Sequence, residues 1–441
     1  MLPKVPTIAA GSTDLAGCVF GPAGPGEQRL SPVWRVREYS AVPIGSRRPA
    51  SHPVENPAVM IMNGARMASV PARTGAAGLP AVWLRHNCRC ADCLDPVTGQ
   101  RLRDVTDLPA DLTVNDVSVA GRQVTVRFQP DGHQAVFDQA WLARHAAGPG
   151  TADPRTDDAK KLWPAVGPAG TAGVPPGPPP RLSWPRYLAD PGYRRACQQA
   201  ILDHGLILLC DMPTEPGTVL AVAASMGYVR ETNYGRLFDV RVEGAPANLA
   251  YTSRPIAPHT DNPYRDPVPT VQLLHCLRSA AHGGDSVFAD GFRAAAQLRV
   301  RDPAAFRTLA GTPVTFSYRD QSTQLSATRP LISLDPRGRI REIRCNGRSL
   351  QPPRLSPAEA AGFYAAYRAF AALASDPAAL RTVRLAPGDC VVFDNTRILH
   401  GRTGFTGQGG RHLQGCYADL DGVESAVAVA GREREKGKDR S

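Results

Sequence analysis

The sequence predicts an α+β protein whose larger part is a barrel or jelly roll of short strands. Apolar runs such as "PTVQLLHCL", "DSVFADG" and "DCVVFDN" are bounded by turn residues, and a few amphipathic helices lie among them. A Pro/Gly-rich stretch separates these runs from a smaller β-rich part that precedes them. The chain has 441 residues, 42% of them hydrophobic, which is enough for two or three domains.

Composition divides the chain into five predicted segments. Residues 1–56 are rich in Gly, Pro and Arg without a sustained period, so we expect them to be disordered. We expect a β-rich domain at 57–146 and a Pro/Gly-rich linker at 147–182. The larger domain is expected at 183–425, and a charged, solvated tail at 426–441.

Local patterns predict individual elements in both domains. The stretch "RQVTVRFQPDGHQAVFDQAWLARH" (122–145) predicts a hairpin that turns at "PDG" and continues into a short helix. The stretch "SPAEAAGFYAAYRAFAALASDP" predicts an amphipathic helix that Ser356 caps, with an acidic residue in the first turn.

Charge and hydropathy argue against several classes of protein. The net charge is +11, but the arginines are spread along the chain, and neither a basic helix nor a nucleic-acid-binding motif is present. No apolar run approaches the roughly 18 residues of a membrane span, and the N-terminus lacks a convincing signal peptide. We therefore expect a cytoplasmic enzyme without nucleic-acid or membrane partners, whose positive potential attracts small anions.

A proline-rich tract holds the first candidate site. In "YTSRPIAPHTDNPYRDPVPTVQLLHC", prolines rule out a helix, and residues two apart in an extended chain share a side. His259 and Asp261 are so spaced, although an isolated His-x-Asp triplet also occurs by chance. His400 in "RILHGR" is a candidate third ligand. Two histidines and one carboxylate leave three metal positions open, as in Fe(II) oxygenases.

An arginine follows the third candidate ligand at a useful spacing. Arg411 lies eleven residues after His400 and could hold the distal carboxylate of 2-oxoglutarate through a bidentate pair. Arg402 is the alternative anchor.

The cysteines suggest a second metal site. Seven of the ten are scattered singly, whereas Cys88, Cys90 and Cys93 form a tight group. Zinc favours thiolates and imidazole in a closed tetrahedron, which would stabilise a domain too small for a large core. Three free thiols on a loop are the alternative, and a Cys88–Cys90 disulfide would be strained. The candidates for the fourth ligand are His86, His133 and His145.

The chain resembles the γ-butyrobetaine dioxygenase family, which is related to the taurine dioxygenase-like oxygenases. The resemblance covers about 57–146 and 180–425. It rests on motifs that occur in the family's order: "AVWLRHNCRCADC", "DGHQAVFDQAWL", "HTDNP", "QLLHC", "GGDSVFADGF", "FDNTRILHGR" and "RHLQGCYADLD". It implies a small zinc-binding β-rich domain that is followed along the chain by a double-stranded β-helix (jelly-roll) oxygenase domain.

The resemblance also implies a role for individual residues. The iron ligands match His259, Asp261 and His400. The positions that contact 2-oxoglutarate match Arg411, Asn248 and Leu274. The zinc ligands match Cys88, Cys90, Cys93 and His133. The aromatic cage around a trimethylammonium group matches Tyr234, Phe238, Tyr251 and Tyr417.

Three substrate positions depart from the family's pattern. Phe238 replaces the tryptophan of the animal members, and Asn262 stands where they have tyrosine. Where γ-butyrobetaine enzymes offer an asparagine to the substrate carboxylate, "CNGRS" places Gly347 beside Arg348. An added arginine could favour a doubly charged head group, unless its side chain points into solvent.

The resemblance implies a specific reaction. Fe(II), 2-oxoglutarate and O2, with ascorbate as reductant, would hydroxylate γ-butyrobetaine to L-carnitine and release succinate and CO2. The alternative substrate is 2-trimethylaminoethylphosphonate, which a related branch hydroxylates. Two other classes stay open: a zinc-dependent hydrolase using the same three ligands, and a catalytically inactive binding or scaffold protein. The family also suggests a homodimer.

Overall fold

The computed structural model describes residues 58–63, 66–71, 79–146, 155–164, 179–242, 251–280, 282–406 and 410–438. The chain divides into two compact units, Met1–Gly148 and Pro149–Ser441. The predicted disordered segment 1–56 and the candidate Asn248 lie outside the described residues.

The described part of the first unit contains two small sheets, two α-helices and one 3-10 helix, Val105–Asp107. Its strands are β1 (Ala58–Asn63), β2 (Arg66–Pro71), β3 (Leu79–Pro80), β4 (Thr113–Ala120), β5 (Gln123–Gln129) and β6 (Gln134–Asp138). Its helices are α1 (Ala81–His86) and α2 (Gln139–Ala146). The sheets have the orders β2-β1-β3 and β4-β5-β6. The β5–β6 hairpin and the helix after it confirm the prediction for 122–145.

Alternation along β5 builds the core of this unit. Val124, Val126 and Phe128 are buried, whereas the residues between them face outward, as the two-residue period of a strand requires. Cys88 and Cys93 belong to the same buried cluster. The cysteine group is therefore part of the core.

The second unit contains sixteen further strands, seven α-helices and one 3-10 helix, Asp157–Ala159, among its described residues. The strands are β7 (Arg181–Ser183), β8 (Leu206–Cys210), β9 (Phe238–Arg241), β10 (Ile256–His259), β11 (Val271–Arg278), β12 (His282–Gly283), β13 (Ser286–Asp290), β14 (Val314–Arg319), β15 (Gln324–Arg329), β16 (Ile332–Leu334), β17 (Ile340–Ile343), β18 (Arg381–Val383), β19 (Cys390–Asp394), β20 (Ile398–Arg402), β21 (Phe405–Thr406) and β22 (His412–Ala418). The helices are α3 (Trp184–Ala189), α4 (Pro191–His204), α5 (Thr218–Ala224), α6 (Gly291–Arg301), α7 (Pro303–Gly311), α8 (Pro357–Ala374) and α9 (Leu420–Lys438).

Two sheets form the centre of the second unit. One has the order β10-β20-β13-β18 and the other β7-β8-β19-β11-β22-β9. Phe288 and Ile398 of the four-stranded sheet share a buried cluster with Phe393 and Leu413 of the six-stranded sheet. This sandwich is the double-stranded β-helix, or jelly roll, and it confirms the expected fold of the larger domain.

Helices cover the outer faces of both sheets. Val271 and Leu273 of β11 pack in a cluster with α3, α4, α5 and α9. On the four-stranded sheet, Leu399 packs with α6, α7, α8 and the small strands β14 to β17. Helix α8 begins at a Ser356 capping box, which confirms the prediction for that segment.

Parts of the predicted linker and tail are ordered. Trp163 lies inside the predicted linker, yet it is buried, and its indole N–H donates to the carbonyl of His204 over 2.9 Å. Its backbone N–H donates to the Asp290 carboxylate over 3.0 Å. Helix α9 runs through the start of the predicted tail to Lys438. Composition missed these contacts because a single aromatic side chain can anchor a Pro/Gly-rich segment.

Two further observations concern membrane-spanning helices and cysteines. No helix among the described residues is long and apolar enough to cross a membrane. None of the nine cysteines in the described part of the chain forms a disulfide, and most of them are buried.

Candidate active site and metal centres

The three predicted iron ligands meet where β10 pairs with β20. Antiparallel pairing places His259 directly opposite His400, with ring centroids 4.3 Å apart. Asp261 lies two residues beyond the end of β10, and its Oδ1 is 3.2 Å from His259 Nε2. Its Oδ2 is 3.8 Å from His400 Nε2. One ligand atom from each of the three residues lies within 4.8 Å of the others.

Protonation states at this cluster suit a metal. The ring Nδ1 of His259 donates to the carbonyl of Ala257 over 3.0 Å, so its Nε2 lone pair faces the cluster. Burial lowers the pKa of His400 to about 3. Burial alone would raise the pKa of Asp261, but the charges of His400 and His259 outweigh it and hold that pKa well below its usual range. A neutral imidazole at His400 and an ionised carboxylate at Asp261 are ligand forms that Fe(II) binds.

A cavity of about 410 Å³ between the two sheets contains the candidate iron site. The predicted site residues that line it are His259, Asp261, His400, Leu274, Arg402, Arg411, Tyr234, Phe238, Tyr251, Tyr417, Asn262 and Arg348. All the site residues that were predicted in the larger domain and lie within the described residues therefore line one cavity.

The two candidate anchoring arginines have different surroundings. Arg402 donates through Nε to the carbonyl of Arg254 over 3.3 Å, and through Nη2 to that of Thr252. Arg411 is buried, and among the described residues it has no hydrogen-bonded or ion-paired carboxylate. Gly284 makes room for it, since a Cβ there would lie 3.1 Å from Arg411 Cδ. A buried guanidinium needs an anion, which favours Arg411 as the 2-oxoglutarate anchor.

Three of the predicted cage residues form one aromatic wall. The ring centroids of Phe238 and Tyr417 lie 5.1 Å apart, and those of Phe238 and Tyr234 lie 6.1 Å apart. Phe238 pairs with Gly415 across β9 and β22, and a Cβ at Gly415 would come within 2.5 Å of the Phe238 ring. Only glycine lets this ring lie against the neighbouring strand. Tyr251 lines the same cavity.

Two tyrosines extend this wall beyond the predicted cage. The ring of Tyr318 meets Tyr234 edge-on at 5.8 Å and stacks on Tyr264 at 5.1 Å. The hydroxyls of Tyr234 and Tyr264 are 3.0 Å apart. Sequence reasoning missed both: Tyr264 stands in the proline-rich tract without a motif of its own, and Tyr318 lies on a strand without any motif.

The polar end of the cavity contains Asn262 and Arg348. Asn262 is 2% exposed and adopts a left-handed backbone with φ of 55°. Its Oδ1 accepts the hydroxyl of Tyr264 over 2.8 Å, whereas its Nδ2 has no acceptor among the described residues. Arg348 is exposed at the rim of the cavity, and its charge helps to lower the pKa of Asp261. Its side chain therefore borders the cavity as well as solvent.

The second cluster joins the three cysteines to a histidine in the hairpin turn. The Nε2 of His133 lies 3.2 Å from Cys88 Sγ and 3.7 Å from both Cys90 Sγ and Cys93 Sγ. Zinc bonds of about 2.3 Å to sulfur and 2.0–2.1 Å to nitrogen, at tetrahedral angles, separate those atoms by about 3.5 Å. The observed distances bracket that value, so the four residues fit zinc.

The other two histidines are placed differently. His145 is exposed, stacks on Trp141 at 4.1 Å and donates through Nδ1 to the Trp141 carbonyl over 2.7 Å. Within the described residues, neither His145 nor His86 joins a cluster of metal-ligating side chains. The geometry favours His133 as the fourth ligand.

A buried arginine contacts this cluster. Arg85 donates through Nη1 to Cys93 Sγ over 3.2 Å and through Nε to Asp131 over 2.7 Å. Asp131 also accepts the backbone N–H of His133 over 3.1 Å. Zinc with three thiolates and a neutral imidazole carries one net negative charge, which the guanidinium would balance. Sequence reasoning missed Arg85, although it lies inside the motif that contains the cysteines.

Comparison with known proteins agrees with this arrangement. The family model "Taurine catabolism dioxygenase TauD, TfdA family" matches residues 170–417, and "Gamma-butyrobetaine hydroxylase-like, N-terminal" matches residues 72–143. A γ-butyrobetaine dioxygenase from Pseudomonas sp. (strain AK-1) is 36% identical over 363 residues, which are 80% of this chain and 90% of that protein.

Two eukaryotic relatives are similarly covered. The human γ-butyrobetaine dioxygenase is 31% identical over 81% of this chain and 92% of that protein. A trimethyllysine dioxygenase from Meyerozyma guilliermondii is 28% identical over 78% of this chain and 88% of that protein. The chain therefore belongs to the γ-butyrobetaine dioxygenase family within the TauD/TfdA dioxygenases, which depend on Fe(II) and 2-oxoglutarate.

Proposed function

We propose that this dioxygenase hydroxylates a C–H bond of a small trimethylammonium zwitterion, with γ-butyrobetaine, converted to L-carnitine, as the first candidate. One observation carries the proposal: the aromatic wall and the candidate iron ligands line the same cavity of about 410 Å³. A substrate held by the wall would lie beside the metal. Its binding would then orient one C–H bond toward the metal. The names of the bacterial and human relatives support this substrate.

The iron site would be held by His259, Asp261 and His400. Iron bound there would supply the O2 chemistry, in which one oxygen atom of O2 goes to succinate as 2-oxoglutarate loses CO2 and the other becomes the hydroxyl group on the substrate carbon. The guanidinium of Arg411 would pair with the distal carboxylate of 2-oxoglutarate, and Leu274 would form an apolar wall. The assignment of Asn248 stays a prediction, because that residue lies outside the described part of the chain.

The aromatic wall suits a cation that cannot donate hydrogen bonds. A trimethylammonium group has no N–H, so aromatic faces are its most favourable neighbours. Tyr234, Phe238 and Tyr417 supply three adjoining rings, and Tyr251 lines the same cavity. A neutral substrate of the same shape would lose this attraction.

The anionic end of the substrate would meet Asn262. Its Nδ2 is buried and has no acceptor among the described residues, so an incoming carboxylate would satisfy it. The orientation of the amide is fixed, because its Oδ1 already accepts from Tyr264.

A second candidate substrate is 2-trimethylaminoethylphosphonate, and Arg348 favours it. This guanidinium borders the cavity and donates through Nε to Asn346 Oδ1 over 3.4 Å, which leaves its other N–H groups for a ligand. A dianionic phosphonate gains more from an additional guanidinium than a carboxylate does.

The test compares kcat/KM for γ-butyrobetaine and the phosphonate, first in the wild type and then in Arg348→Ala. A preference for γ-butyrobetaine that the substitution leaves unchanged supports the first candidate. A phosphonate preference that disappears in the variant supports the second. Turnover of neither compound would overturn the trimethylammonium proposal while leaving the iron site untouched. Oxygen uptake with Fe(II), ascorbate and 2-oxoglutarate also tests the hydrolase and scaffold alternatives, which predict none.

We also propose that Cys88, Cys90, Cys93 and His133 bind a structural zinc ion. All four positions of a tetrahedral ion would be occupied by the protein, which leaves no position for a substrate. The role of ascorbate as reductant and the homodimer remain predictions.

A further inference from the structure

The Asp261 backbone is held from both sides by one buried amide. Asn395, which is 1% exposed and follows β19, accepts the N–H of Asp261 at its Oδ1 over 2.8 Å. Its Nδ2 donates to the carbonyl of Asp261 over 3.0 Å and to that of Pro269 over 2.9 Å. The loop that carries the carboxylate is therefore fixed before any ligand binds.

One oxygen of the Asp261 carboxylate accepts two further hydrogen bonds. Gln272 Nε2 donates to Oδ2 over 2.8 Å, and the Tyr417 hydroxyl donates to the same oxygen over 3.0 Å. Both donors are buried, and they are direct partners across β11 and β22. Oδ2 also lies 3.8 Å from His400 Nε2, but its two hydrogen bonds leave Oδ1, 3.2 Å from His259 Nε2, as the oxygen more available to a metal.

Tyr417 has a second role in the same cavity. Its ring lies 5.1 Å from that of Phe238 and belongs to the aromatic wall, while its hydroxyl holds Asp261. A cation seated against the ring would therefore contact the side chain that orients an iron ligand.

From this arrangement we infer that Tyr417 and Gln272 are positioning residues that keep Asp261 a one-oxygen ligand, and that Tyr417 links the substrate-binding wall to the metal. The link between wall and metal rests on the proposed function. The positioning of Asp261 does not, since it depends only on contacts made within the protein. Groups that orient metal ligands typically change metal affinity by about 10–100-fold when they are removed.

The test begins with metal affinity in the absence of substrate. Metal-free protein is titrated with Co(II), and binding is followed by visible absorption. Tyr417→Phe keeps the ring and removes the hydroxyl, so the Kd for Co(II) should rise by about 10-fold or more, and Gln272→Met should act in the same direction. Tyr187→Phe is the matched control, because its buried hydroxyl contacts Ser225 and lies outside the cavity; its Co(II) affinity should match the wild type.

The second measurement concerns the link itself. Adding γ-butyrobetaine to the Co(II)–2-oxoglutarate form should change the wild-type visible spectrum. In Tyr417→Phe the compound should still bind within a few-fold, but with a smaller spectral change. In a separate assay with Fe(II) and O2, the variant should form more succinate per hydroxylated product than the wild type.

The outcomes separate the inference from the proposed function. Wild-type Co(II) affinity in both Tyr417→Phe and Gln272→Met would overturn the positioning role. An unchanged spectral response in Tyr417→Phe would overturn the link. If γ-butyrobetaine and its phosphonate analogue fail to bind the wild type, the link falls together with the proposed substrate, while the Co(II) titration still decides the positioning. Should Tyr417→Phe fail to fold, as judged by circular dichroism, Gln272→Met alone decides the positioning.

Discussion

The two clusters of metal-ligating side chains differ in how much of a metal each would enclose. The cluster in the first unit offers four ligands, three of them cysteines, and two of those cysteines belong to the core. The cluster in the second unit offers two histidines and one carboxylate beside a cavity of about 410 Å³. Four protein ligands close a tetrahedral ion to solvent, whereas three leave positions for reactants.

The surroundings of the clusters differ in the same sense. At the first cluster a buried guanidinium contacts Cys93 and balances the charge that a closed thiolate site would carry. At the second, the buried guanidinium of Arg411 makes no hydrogen bond or ion pair with a carboxylate among the described residues, and the charge of Asp285 only partly offsets the burial that lowers the pKa of Arg411. These surroundings support the proposal that the first cluster holds a metal alone and that the second holds a metal together with an anionic reactant.

The largest effect is expected when a ligand is removed from the cluster in the second unit, His259, Asp261 and His400, which we call the open site. Asp261→Ala should reduce substrate-dependent succinate formation to the background of the assay, because two imidazoles alone hold Fe(II) poorly. Zinc content, measured by elemental analysis, should be unchanged, since the two clusters share no ligand. Full succinate formation by the variant would show that the iron assignment is wrong.

Disruption of the cluster in the first unit, Cys88, Cys90, Cys93 and His133, which we call the closed site, should lower the stability of the protein more than its catalytic rate. Replacing both Cys90 and Cys93 by Ser should abolish the binding of about one zinc ion per chain and destabilise the first unit. Structural zinc contributes an apparent 10–16 kcal/mol or so in zinc-finger peptides, so the loss should be visible as a lower Tm. The protein that remains folded should retain kcat. Unchanged zinc content in the double variant would rule out the site.

Substitution of the two arginines beside the open site should affect the KM values for 2-oxoglutarate and for the substrate differently. Arg411→Lys should raise the KM for 2-oxoglutarate by about 10–100-fold, since a bidentate charge-assisted pair contributes roughly 1.5–3 kcal/mol. In the matched variant Arg402→Lys, the KM for the substrate should rise more than that for 2-oxoglutarate, because Arg402 holds the segment after Tyr251. The reverse pattern would make Arg402 the anchor.

The smallest effect should come from the arginine beside the closed site. Arg85→Gln should weaken zinc binding by about tenfold, because a neutral donor compensates the thiolate charge less well. The rate of zinc release to a chromogenic chelator measures this, and Arg85→Lys should lie between the variant and the wild type. Arg89→Gln, on the same segment, is the control. Equal release rates in Arg85→Gln and the wild type would show that the contact does not tune the site.

The sequence by itself determined the chemistry of the ligands and several local elements. Cysteine spacing, the His-x-Asp triplet and the distal His400 specify donor types, and donor type limits which metal can bind. The capped helix α8 and the β5–β6 hairpin were also predictable, because caps, turns and hydrophobic period act over a few residues.

Tertiary structure decided what depends on contacts between distant strands. The roles of Gln272 and Asn395 could not be predicted, although both lie in recognised motifs, because their shared partner Asp261 lies on a loop that is distant from them in sequence. The different surroundings of Arg402 and Arg411, and the burial of Trp163 in a linker-like composition, arise in the same way. Strand register and packing bring such residues together, and local propensity carries no information about which distant partner a buried polar group will find.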